Sequence, residues 1–144
     1  MRIKILLVLL GVILISCNTN SSAERKIKKT VTSFLDAVER DKPNECVNLI
    51  HDGSGSYGGI HMDVSFLYKH YKKINSEVDL KKNIKVKDTI YVGAKMKYVQ
   101  YRIKNSNPNY LQKPLIITFI FYDQVGYDKI FNSSFLDNNM LNWE

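Results

Sequence analysis

Near Asn83 the hydrophobic period of this chain changes from that of a helix to that of a strand. Upstream, Ile27, Val31, Phe34, Leu35 and Val38 recur at helical spacing, with Lys26, Lys28, Lys29 and Glu39 largely on the other side. Ser21 followed by Glu24 has the capping-box spacing, so a first helix is predicted to end near Asp41. Pro43 suits the first position of a second, shorter helix with Val47, Leu49 and Ile50 on its buried side. Residues 51–61, HDGSGSYGGIH, read as loop. Asp63 then caps a third helix, with Val64, Leu67, Tyr71 and Ile74 as its apolar stripe and Lys69, Lys72 and Lys73 on its wet side.

Beyond Asn83, Ile84, Val86, Ile90 and Val92 alternate with Lys85, Lys87, Thr89 and Tyr91. Gly93 turns the chain, and residues 95–104 read as a second strand broken by NSNPN. Residues 115–122 are apolar on both faces, as a central, covered strand is. A turn at 123–126 and a last strand at 127–135 complete the pattern. Helices first and strands afterwards predict one α+β domain over 24–144, its N-terminal helices packed on one face of a bent antiparallel sheet. A chain of 144 residues with 44% hydrophobic and 24% charged residues suits a single folded unit rather than a disordered one.

The first residues follow different rules. Arg2 and Lys4 precede an apolar run at 5–15, broken only by Gly11, which has the secretory signal pattern. Crossing a bilayer takes about 20 apolar residues, so the run reads as an export signal rather than a permanent span. Leu14-Ile15-Ser16-Cys17 resembles the lipobox of bacterial lipoproteins. That resemblance implies a signal peptide at 1–16, cleavage before Cys17, and diacylglycerol on the Cys17 sulfur. A thiolate is the nucleophile that thioether formation needs. Each buried methylene adds about 0.8 kcal/mol, so two or three acyl chains hold a protein firmly. Residues 17–23 then form the lipidated end and its tether. Asn18 after the cysteine implies sorting to the outer membrane, and the lack of an acidic stretch implies a periplasm-facing position. With Cys17 acylated, Cys46 has no intramolecular partner and reads as a small buried hydrophobe.

The helices-then-meander order, together with IKKTVTSFLDAVERDKPNECVNLI at 27–50, resembles the nuclear-transport-factor-2-like, cystatin-related cone fold. This resemblance implies a curled sheet, a fold able to host ketosteroid-isomerase-like chemistry, and homodimers through the open sheet face.

Candidate chemistry is sparse. Residues 53–58 match GxGxxG, but a dinucleotide site needs a strand before the motif, and here a helix precedes it. The loop could instead gate the mouth of a cone, so His51, Asp52, Tyr57 and His61 are the candidate pocket or loop residues. His51-Asp52 and His61-x-Asp63 bracket the loop, and its closure would supply the imidazole–carboxylate pair of general acid–base work. No spacing of His or Cys has the pattern of a metal site, and no cofactor is expected. Nine Tyr and six Phe either fill the core or line a pocket for an apolar ligand; Tyr91, Tyr98, Tyr101, Phe119, Phe121 and Tyr122 all fall on predicted strands.

The formal net charge is +7, with 17 Lys but only 4 Arg. Lys81, Lys82, Lys85, Lys87, Lys95 and Lys97 gather around the first hairpin and read as a solvated basic face. So little Arg leaves little bidentate phosphate recognition, which argues against nucleic acid. The expectation is a membrane-anchored, non-catalytic accessory protein that binds a partner protein or a small apolar ligand. The alternatives are a small ketosteroid-isomerase-like enzyme, drawing on Asp36, Asp52, Asp123, His51, His61 or His70, and a membrane-anchored immunity or inhibitor protein.

Overall fold

The first helix, α1, occupies residues 22–39 and starts two residues before the expected domain boundary. Ala23 is already buried there, so the tether ends sooner than the sequence suggests. A computed structural model describes residues 22–53, 57–103 and 114–136. The signal segment, the lipobox with Cys17, Ser21 of the capping box, residues 54–56 of the glycine-rich motif, the NSNPN breaker and everything after 136 lie outside the described residues. The apolar stripe of α1 is buried as predicted, through Ile27, Val31, Phe34, Leu35 and Val38. Its end is a six-to-one closure: Lys42 N donates to Ala37 O at 2.9 Å while Asp41 takes φ +56°.

Pro43 opens α2, Pro43–Asn48, at the position where its missing N–H costs nothing. Cys46 is a free, fully buried thiol. The third helix, α3, is Tyr57–Glu77, longer than expected. Residues 57–61 are therefore helix rather than loop, and Asp63 lies inside the helix instead of capping it. Two glycines in the first turn cost about 1 kcal/mol each relative to alanine. The buried stripe downstream, Val64, Leu67, Tyr71 and Ile74, sustains the helix through packing. Asp63 accepts instead from Ser133 Oγ, at 3.2 Å.

Four strands follow: β1 Val86–Tyr91, β2 Ala94–Ile103, β3 Leu115–Phe121 and β4 Asn132–Leu136. They form an antiparallel meander in the order β1-β2-β3-β4, so the chain is α+β with helices against one sheet face. The register aligns Val86, Val99, Phe119 and Ser133 in one helix-facing row, and Tyr101, Ile117 and Phe135 in the next. Phe34 of α1 meets the first row edge-on, its ring 5.3 Å from Phe119. β3 is an interior strand as predicted, but only its helix-facing side is fully buried; its outward side carries Ile116 and Thr118, half-buried, and Ile120. On that outer face Asn132 Nδ2 donates to Tyr91 Oη at 2.9 Å, from β4 to β1. A flat sheet would hold those strands about 14 Å apart, so the bond records how far the sheet curls.

Two strand expectations change. The last strand begins at Asn132 rather than 127: after the 3₁₀ turn Asp123–Val125, Gly126 takes φ +75° and redirects the chain. Ile130 then bridges Ile50 in parallel; His51 N donates to Ile130 O at 2.9 Å and Ile130 N to Leu49 O at 2.8 Å. In the first strand, the alternation runs on into exposed positions. Ile90 is 72% and Val92 87% exposed, because the hairpin extends past the helices that cover its base. Tyr91 pairs with Ala94, and Val92 and Gly93 between them take φ +50° and +76°, the signature of a type I′ turn.

Candidate functional site

The C-terminal turn of α1 and the second half of α3 leave between them an open groove of about 620 Å³. Val38, Tyr68 and Tyr71 form its apolar floor, Glu39 and Asp41 one rim, Lys69 and Lys72 the other. Ser76 is at the exposed end, and Asn75 is held by accepting from Leu80 N at 3.0 Å. The i, i+3 spacing of Tyr68 and Tyr71 aims both rings from one helix face. Only Tyr71 stands out in the sequence, as part of the apolar stripe. Tyr68 becomes visible once α1 and α2 are in place, because its hydroxyl donates to Ala37 O at 3.0 Å and faces Cys46 Sγ at 3.8 Å.

The Tyr71 hydroxyl is buried and has no hydrogen-bond partner among the described residues. It sits in the field of Lys81, Glu39, Asp36 and Asp79. Lys81 Nζ donates to Asp36 at 2.7 Å and to Glu39 at 2.6 Å. Those bonds raise the lysine's pKa, and burial raises the pKa of the Tyr68 and Tyr71 phenols. All three keep their protons at neutral pH, so each remains a hydrogen-bond donor. Burial likewise raises the Cys46 thiol, which makes it a poor nucleophile.

Of the loop residues singled out in the sequence, the side chains of His51 and Asp52 are the described ones. His51 is half-buried and stacks on Phe131, ring centroids 6.1 Å apart, while Asp52 is exposed. Tyr57 lies in the first turn of α3, and its side chain and that of His61 are outside the described residues. His70 is buried and tilts against Phe66 at 4.7 Å. The carboxyl of the His61-x-Asp63 pair, Asp63, is half-buried. Burial lifts its pKa, and the Ser133 hydrogen bond partly offsets that rise. It lies outside the groove.

Of the strand aromatics, Tyr101, Phe119 and Phe121 are buried in the core. Phe119 stands edge-on to both Phe34 and Phe135. The basic face is smaller than the lysine count suggests. Lys81 is shared by two carboxylates, Lys82 pairs with Asp79 at 2.8 Å, and Lys97 is buried against Asp88 at 2.6 Å. Among the described residues no His, Cys, Asp and Glu cluster could hold a metal ion, and no helix is long and apolar enough to cross a membrane. No protein-family model, curated protein or solved structure matches the chain.

Proposed function

We propose that the chain is a lipid-anchored, periplasm-facing binding protein, held at the membrane through Cys17, whose α1–α3 groove takes a small ligand with an apolar body. The observation that carries this reading is the groove itself. Its volume falls in the range of small-molecule sites, and its floor of one valine and two tyrosine rings between rims of opposite charge suits an apolar body with polar ends. The nuclear-transport-factor-2-like assignment belongs to the same proposal. It is supported by three helices preceding a curled antiparallel meander.

The test is native mass spectrometry of the full chain extracted from its own envelope in mild detergent, with intact-mass analysis of the acyl chains. The expected result is a reproducible small-molecule adduct that is lost in Ser76→Trp, an exposed rim change that fills the groove without touching the core. A bare protein, or an adduct indifferent to Ser76→Trp, overturns the ligand reading. An unmodified Cys17 overturns the anchor.

A further inference from the structure

We propose that the β1–β2 turn is a second membrane contact, seating Ile90 and Val92 in the headgroup region of the same anionic bilayer that holds the lipidated chain. The inference rests on the lipoprotein reading and adds an orientation to it.

The turn itself supplies the first observation. Type I′ turns need positive φ at both central residues, which is why Asn-Gly or Gly-Gly is the common choice. Here the first of them is Val92, a β-branched residue that resists this region and lies almost wholly in solvent. Folding gains nothing from an apolar side chain at that point. An exposed, strained position of this kind is where function is sought. Ile90, one pleat back on the same hairpin, adds a second exposed aliphatic.

The second observation is where the turn lies relative to the anchor. Phe34 sits over the row containing Val86. Toward its C-terminus α1 meets Lys81, whose neighbour Leu80 accepts from Tyr101 Oη one row farther from the turn. Toward its N-terminus, Thr30 Oγ donates to the carbonyl of Tyr127, which follows the 3₁₀ turn Asp123–Val125 at the end of β3, where Phe121 pairs with Lys97 one row nearer the β1–β2 turn. So α1 runs antiparallel to β1. From Phe34 back to residue 22 it covers about 18 Å, and from Val86 to Val92 the strand covers about 20 Å. Both finish at one end of the molecule. Residues 18–21 separate that helix start from Cys17 and reach at most about 18 Å when fully extended. A lipidated Cys17 therefore holds the hairpin end close to the lipid.

Charge is the third observation. Lys26, Lys28 and Lys29 lie exposed in the first two turns of α1, where the helix dipole disfavours cations. Lys95 is exposed beside the turn. These exposed lysines, at the same end of the molecule as two exposed aliphatics, complement an anionic lipid surface.

The test uses the full chain, purified with its lipid and reconstituted into vesicles of phosphatidylcholine, with or without one part in four of phosphatidylglycerol. An environment-sensitive fluorophore is placed at Val92→Cys and, as a control, at Met62→Cys, which is exposed on α3 beside β4. Cys46 is buried and stays unlabelled. Ile90→Cys serves as a second reporter of the turn. The expected result is a blue shift at 92 and 90, absent at 62, larger on the anionic vesicles and reduced by Lys28→Glu with Lys95→Glu. An aqueous spectrum at 92 with Cys17 acylated overturns the hairpin contact and leaves the anchor standing. A shift at 92 in a chain whose Cys17 is unmodified upholds the hairpin contact and removes the anchor. Equal shifts at 92 and 62 report non-specific adsorption and overturn it. So does a shift seen only on protein-containing native membranes, which assigns the turn to a protein partner.

Discussion

The two ends of this molecule treat charged and apolar side chains in opposite ways. At the groove end, Lys81 is shared between Asp36 and Glu39, Lys82 is paired with Asp79, and Arg40 and Lys42 both reach Glu45, at 2.8 and 3.0 Å. The apolar groups there, Val38 and Tyr71, are buried. At the turn end, Ile90 and Val92 project into solvent, Lys95 is exposed beside them, and the first turns of α1 carry the exposed Lys26, Lys28 and Lys29. Lysines of one composition thus do two different things, and tertiary neighbours rather than local sequence decide which. A lysine with carboxylates folded against it holds elements together. One left beside exposed aliphatics presents a surface.

Phe119→Ala is the severest way to break that comparison. It removes the ring that Phe34 and Phe135 both meet edge-on and is expected to cost about 3–5 kcal/mol in urea unfolding. Probes at both ends should still report one coincident transition; separate transitions would mean that the ends are independent units. Tyr71→Phe removes the orphaned hydroxyl at the groove end and is expected to stabilise the protein by about 1 kcal/mol, read from the same curves. Val92→Asn at the turn end is also expected to stabilise, by about 1 kcal/mol, since asparagine accepts the left-handed backbone that valine resists. A loss of stability there would show that Val92 packs on the chain itself.

Lys81→Met should cost only about 0.5 kcal/mol, because the bridge is partly exposed, and less in high salt. The smallest effect concerns Asp63, whose folded-state pKa is raised by burial. Its protonated form is favoured by folding, so that contribution is full below the unfolded pKa of about 3.9 and is lost as pH rises through the folded value. Asp63→Asn should therefore gain on the parent in thermal melts at neutral pH, with the gap closing toward pH 4.

Much of the fold is legible in residue spacing. Pro43, the stripes of α1 and α3, and the bounds of β2 follow from periodicity and turn chemistry, because those features are decided within a few residues. The start of α3 is hidden, since Gly58 and Gly59 carry a loop's local preference and are overruled by packing that begins at Val64. The last strand is misread for a related reason. An alternating run cannot distinguish a ladder from the single bridge that Ile130 makes with Ile50, 80 residues earlier. The groove is harder still to see. Its walls come from residues 38–41 and 68–76, and the pairing of Lys81 with Asp36 spans 45 positions that no local pattern records.

α1 continues without a break from residue 22 to residue 39, a rod of about 27 Å. On an anchored chain that rod sets a height: its foot is tied to the lipid by a short leash, and its head forms one wall of the groove. Cargo would then ride no higher above the surface than the rod and its leash together allow. Hand-over to a neighbour would be a meeting in two dimensions, timed by lateral drift within the membrane rather than by diffusion through a volume.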